Sequence, residues 1–136
     1  MNDPYDLDNQ FDFKKPSVQM LGRFQPWHEG HTKLFTKSLT LTGQVVIMVR
    51  EVYGIDGNLS DNPFGELEAI GIINAELSKA GYVEGREYWI MAVPNIVDVS
   101  YGRRVGYTFT EHDLGEDVHV ISSTKIREQM RQEGKL

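Results

Sequence analysis

The chain contains no cysteine, which excludes disulfides, thiolate nucleophiles and cysteine-held metal. No apolar run approaches the roughly 18 residues that a bilayer-crossing helix needs, and no basic-then-apolar leader stands at the start. Positive charge is scarce: 14 Lys and Arg face 20 Asp and Glu, for a formal net charge of −6. Such a balance disfavours a general nucleic-acid binder, which needs a basic surface to meet the phosphate backbone. Internal repeats and low-complexity segments are also missing. These absences leave a cytoplasmic globular protein as the expectation, with neither membrane nor nucleic acid as partner. Its 136 residues fit one domain, a size that buries close to 70% of the unfolded surface.

The acidic charge is front-loaded. Asp3, Asp6, Asp8 and Asp12 all precede the first basic residue, Lys14. Residues 1–16 therefore read as an acidic N-terminal tail or an arm packing on a neighbouring subunit, and residues 17–136 as the single folded domain. Within that domain residues 17–21 read as a first strand, buried and central. A helix over 31–41 is stopped by Gly43. Val45, Val46, Ile47, Met48 and Val49 form a continuous apolar run, the pattern of a parallel strand covered on both faces. Residues 51–62 are polar and turn-rich. Leu67, Ile70, Ile73 and Leu77 keep a helical period over 65–80. Strands are expected at 87–93, 96–101 and 107–110, and a final helix runs to about residue 132. This alternation predicts an α/β fold with a mostly parallel, doubly wound, five-stranded sheet and helices on both faces.

Two stretches carry chemistry. Residues 22–31 read G-R-F-Q-P-W-H-E-G-H and join the first strand to the first helix. Gly22 suits a tight turn, and the helix starting near Gly30 offers unpaired N–H groups to an anion. His28 and His31, three apart, share one helix face. Near the other end, Ser122, Ser123 and Thr124 form the N-cap of the last helix, and Arg127 lies one turn further on. Both mouths can hold one polyphosphate only if they meet at the same sheet edge. Several residues keep two readings. Arg50 is a ligand contact at the strand end or a solvated terminus. Asn62, before Pro63, is a helix N-cap or a ligand contact. Trp27 lines a substrate pocket or packs behind the loop. Zinc on the histidine pair is disfavoured, because a structural site wants four ligands. His112 and His119 have no supporting context.

G-R-F-Q-P-W-H-E-G-H resembles the signature loop of the H-x-G-H nucleotidylyltransferase superfamily, and most closely that of the archaeal-type nicotinamide mononucleotide adenylyltransferases. I-S-S-T-K-I-R at residues 121–127 resembles the second signature of the same superfamily. The resemblance spans roughly residues 17–133. It implies a Rossmann-like domain that transfers a nucleoside monophosphate, with AMP from ATP favoured, to a small phosphorylated acceptor and releases pyrophosphate. Mg²⁺ accompanies the triphosphate, and relatives of this architecture often form homo-oligomers. By the same resemblance His28 and His31 donate to the triphosphate, while Arg127, Ser122, Ser123 and Thr124 hold the departing pyrophosphate. Gly22, Arg23, Phe24, Gln25 and Gly30 line the nucleotide. Gly102 and Arg103 match a small residue and a cation that approach it, although a solvated turn explains them equally well. Arg50 matches a basic residue that the superfamily often places at its strand end.

N-P-F at residues 62–64 also resembles the archaeal-type family, in which a Glu–Arg pair follows on the helix. Glu68 matches the acid, and Ala69 stands where the arginine would be. The acceptor therefore stays open. The compact length and the T-K-I-R ending resemble small cytidylyltransferases acting on polyol- or choline-type phosphates, and pantetheine-phosphate adenylyltransferase is similar in size. A nucleotide-binding sensor or regulatory subunit without turnover is the non-enzyme alternative. A class I aminoacyl-tRNA synthetase fragment shares the H-x-G-H logic, but the chain is short for a tRNA-binding domain.

Overall fold

The computed structural model describes residues 10–57, 59–103, 106–114 and 123–134. In chain order they form β1 (Val18–Gly22), α1 (Glu29–Thr42), β2 (Val45–Arg50), α2 (Glu66–Lys79), β3 (Tyr88–Val93) and α3 (Ser123–Gln132), with a 3₁₀ turn at Ile55–Gly57. The architecture is α/β. Three parallel strands lie in the order β1-β2-β3. The register sets Ile47 beside Met20 on one side and Ile90 on the other.

The apolar run of β2 forms the middle strand because it offers apolar side chains to both faces. Val45, Ile47 and Val49 are fully buried, while Val46 and Met48 on the opposite face are half-buried. α1 and α2 both cover the first of these faces. Phe35 of α1 and Ala69, Ile73 and Leu77 of α2 join Met20, Ile47, Tyr88 and Ile90 in one core. The Phe35 ring meets that of Tyr88 edge-on, 5.7 Å between centroids. The buried stripe of α2 runs through Ala69, Ile73 and Leu77, a strict i+4 row, and not through Leu67, which is 81% exposed. α1 ends as expected at Gly43, whose φ of 83° only glycine adopts without strain and whose N–H donates to the Leu39 carbonyl at 2.8 Å.

The sheet departs from the expectation in extent. Five strands were expected, and three are present among the described residues. Residues 96–101 and 107–110 carry the alternating pattern of strands but have no ladder partner. Their apolar side chains Val97, Val99, Tyr101, Tyr107 and Phe109 stay exposed. β1 consequently lies at an edge of the described sheet, not at its centre, and only Met20 in it is buried. Helices were also expected on both faces. Among the described residues, what lies against the second face is the N-terminal arm, through Phe11 and Phe13 on Trp89, with centroids 6.2 and 4.9 Å away.

Gln44 ties that arm down. Its amide nitrogen donates to the carbonyls of Asp12 and Lys15 and to the Ser17 hydroxyl, and its amide oxygen accepts from the Asp12 N–H. Phe11 N–H adds a bond to the Gly85 carbonyl at 2.8 Å. No helix among the described residues is long and apolar enough to cross a membrane.

Ile47 is fully buried at the middle of the central strand, so its truncation leaves a cavity in the core. Ile47→Ala should cost about 2–5 kcal/mol, read as a lowered urea midpoint with an unchanged m-value.

Candidate functional site

The loop between β1 and α1 is shaped by close packing. It turns through Phe24 at a φ of 50° and a cis Gln25–Pro26 bond. The Phe24 ring lies so close over Gly22 that a Cβ there would meet Phe24 Cζ at 2.9 Å. Phe24, Trp27 and His31 then form an aromatic cluster with centroids 5.1–5.2 Å apart. Trp27 is buried, and its indole N–H donates to Thr32 Oγ1 at 2.8 Å. Of its two readings, the structure supports packing behind the loop.

His28 is the N-cap of α1, with extended backbone angles. N-caps are usually hydroxyl or carboxylate residues. Here the imidazole takes that part, because Nδ1 of His28 accepts from the Gly30 N–H at 3.0 Å. His31, three residues on, reaches back, and its Nδ1 accepts from the His28 N–H at 3.0 Å. This is a capping box made of two histidines. A ring nitrogen that accepts a hydrogen bond carries no proton, so each neutral ring bears its proton on Nε2. The two rings lie 3.9 Å apart between centroids. Burial lowers the pKa of His28. Burial, together with the neighbouring His28, takes His31 down to about 3. At neutral pH the pair therefore offers two Nε2–H donors and no charge.

The second chemistry-bearing stretch arrives at the same loop. Nη1 of Arg127, in α3, donates to the Gln25 carbonyl at 2.6 Å, across 102 residues of chain. Arg127 is 2% exposed, and burial lowers its pKa, partly offset by Asp61. The Gln25 side chain is spent on a clasp. Its nitrogen donates to the Phe64 carbonyl at 3.0 Å, and its oxygen accepts from the Phe64 N–H at 2.9 Å. One residue thus joins the histidine loop, the segment before α2, and α3.

Three arginines converge on residues 60–62. Arg23 Nη1 donates to Asn62 Oδ1 at 3.0 Å, Arg127 Nη2 stands 3.6 Å from an Asp61 carboxylate oxygen, and Arg131 donates to the Ser60 carbonyl. Arg131 had no signal in the sequence beyond its charge. Asn62 is buried and is not a helix cap; α2 is capped by Gly65, and the Asn62 carbonyl accepts from the Gly54 N–H.

The remaining expected residues are placed less centrally. Arg50 lies at the C-terminal end of β2 and donates through Nε and Nη2 to Asn95 Oδ1 at 3.2 and 2.7 Å. Gly30 is buried in the first turn of α1. Gly102 and Arg103 are exposed in irregular chain. Ser123 and Thr124 open α3, but their side chains, like all of Ser122 and His119, lie outside the described residues. Ala69, where the resembled family carries an arginine, faces the core at 1% exposure, so this position presents no cation to a ligand. A cavity of about 1260 Å³ opens between the outer edge of β1, α1 and residues 99–101 and 106–112, and His31, Gly22, Arg23 and Phe24 are among its walls. Among the described residues no three His, Asp or Glu gather into a metal cage. Glu51 and Glu66 form a carboxylate pair, whose mutual hydrogen bond raises the Glu66 pKa.

No protein-family model matches this chain, and no curated protein matches it.

The histidine box predicts a pH response of defined sign. The unfolded His31 imidazole titrates near 6.5 and the folded one near 3, so between these values the unfolded chain binds the extra proton. The stability contributed by this site is complete above pH 6.5 and declines as pH falls toward 3. Urea midpoints measured from pH 7.5 to 4 should fall for the wild type, and His31→Asn should flatten that fall; equal slopes would remove the box as its cause.

Proposed function

We propose that the protein is a nucleotidylyltransferase, moving a nucleoside monophosphate, AMP from ATP in the favoured case, onto a small phosphorylated acceptor with release of pyrophosphate. The observation that carries this reading is the meeting of the two chemistry-bearing stretches at Gln25. A neutral pair of imidazole Nε2–H donors and a buried guanidinium then share one loop. The resemblance of residues 22–31 and 121–127 to the superfamily's two signatures supports it independently.

The proposed reaction is a displacement at the α-phosphorus. An ionised phosphate oxygen of the acceptor forms the new P–O bond. The bond from the α-phosphorus to the bridging oxygen breaks, and pyrophosphate leaves with that electron pair. The nucleophile is already an anion, so no general base is required. Catalysis rests on alignment and on stabilising charge spread over the phosphate oxygens. His28 and His31 donate to the triphosphate, and their depressed pKa values keep them neutral donors at physiological pH. Arg127 and the first-turn N–H groups of α3 receive the pyrophosphate. Mg²⁺ bound with the triphosphate would supply neutralisation of its charge, and no cage of described side chains is assigned to hold it. The proposal carries the fuller fold with it: a five-stranded, doubly wound Rossmann-like sheet continuing past the outer edge of β1.

A pyrophosphate-release assay over a panel of nucleoside triphosphates and phosphorylated acceptors tests the reading. The expected result is release dependent on both substrates, with His31→Ala slower by about 10²–10³-fold, the cost of one oxyanion donor. Nucleotide binding without release in any combination favours the sensor, and no binding at all discards the site.

A further inference from the structure

The cations of the site have an occupant supplied by the chain itself. Residues 60–62 are three consecutive positions, and each takes one arginine from a different part of the protein. Ser60 receives Arg131, Asp61 receives Arg127 and Asn62 receives Arg23. The arginines come from the histidine loop and from two successive turns of α3. They are close enough for Arg23 and Arg131 to disfavour the charge on Arg127, while Asp61 and Glu128 favour it. Among the described residues, three guanidiniums and two carboxylates therefore meet here. One of these, Asp61, has a side chain 57% exposed against 3% for its Arg127 partner. The solvated carboxylate is the half of this pair that another anion can replace, because an exchange keeps a negative partner on the buried guanidinium.

We infer that Arg23, Arg127 and Arg131 form a three-arginine seat for a polyphosphate chain, and that residues 60–62, with Asp61 at their centre, fill this seat until the ligand displaces them. The inference rests on the nucleotidyl-transfer reading for its ligand class, and it adds Arg131 as a binding residue and Asp61 as the group that sets affinity. A pyrophosphate moiety suits the seat because its anionic oxygens, spread over two phosphorus atoms, can accept from several planar guanidinium forks at once. A monophosphate engages fewer. The exchange also has a mechanical consequence. Once the arginines turn to phosphate, residues 60–62 lose their contacts with α3, while the Gln25 clasp on Phe64 still holds the segment's far end.

The test is calorimetric titration of the full-length protein with inorganic pyrophosphate and, in parallel, with inorganic phosphate. Asp61→Asn removes the competing charge at an exposed position and should bind pyrophosphate about two- to fivefold more tightly, the size expected of a half-exposed ion pair. Arg131→Gln should bind it about tenfold more weakly, the loss of one charge-assisted hydrogen bond. Phosphate should bind more weakly than pyrophosphate to all three proteins. Hydrogen exchange at residues 59–62 should quicken when pyrophosphate binds. Wild-type binding with Asp61→Asn no tighter, or with Arg131→Gln unchanged, overturns this inference and leaves nucleotidyl transfer standing. An absence of pyrophosphate binding in all three proteins overturns this inference, and an absence of ATP binding as well, titrated alongside, overturns both.

Discussion

A single carbonyl holds the site together. The Gln25 oxygen takes the Arg127 guanidinium at 2.6 Å, and the Gln25 side chain grips both polar groups of Phe64. Burying an arginine carries a desolvation cost that only good hydrogen bonds offset. Arg127 therefore fixes α3 to the histidine loop more firmly than apolar contact alone would, since the loop's backbone satisfies it. Without that bond, α3 would keep Met130 against the core and the Arg131 and Asp61 contacts, but its cation would no longer be fixed at the loop that holds the histidines.

The capping box adds a second constraint that works through proton position. Two backbone N–H groups claim the Nδ1 atoms of His28 and His31, and helix formation itself thereby decides which nitrogen of each ring carries the proton. Burial then keeps both rings neutral near pH 7. Local structure, electrostatics and the proposed chemistry are linked here without any added group. The same bonds that start α1 leave two Nε2–H donors, which the proposed reaction would aim at phosphate oxygens.

Much of the domain was legible in the sequence, for identifiable reasons. The run Val45 to Val49 reads as an inner parallel strand because it offers apolar side chains to both faces, of which Val45, Ile47 and Val49 are fully buried. Gly43 marks the end of α1 because the backbone there needs a positive φ. Helical spacing suggested that His28 and His31 lie together, but they meet through the cap and not on a helix face, since His28 stands outside α1 with extended backbone angles. Misreadings arose where a local pattern needs a partner that the sequence does not name. The alternation over 96–101 and 107–110 defines a face, but it becomes a strand only beside another strand. Asn62 before Pro63 has the look of a cap, yet Arg23 and Gly54 take its polar groups. Gln44 and Arg131 left no trace at all, because side-chain bonds to distant carbonyls follow no periodicity.

The central claim is that the histidine pair and Arg127 address one ligand. Its most direct test is a titration of the ¹⁵N-labelled protein with a non-hydrolysable ATP analogue, following the imidazole Nε2–H and arginine side-chain signals. The account predicts that free His28 and His31 show neutral Nε2–H tautomers, and that both rings and Arg127 shift together along one binding curve. Histidine signals that stay fixed while Arg127 moves, or the reverse, would contradict it.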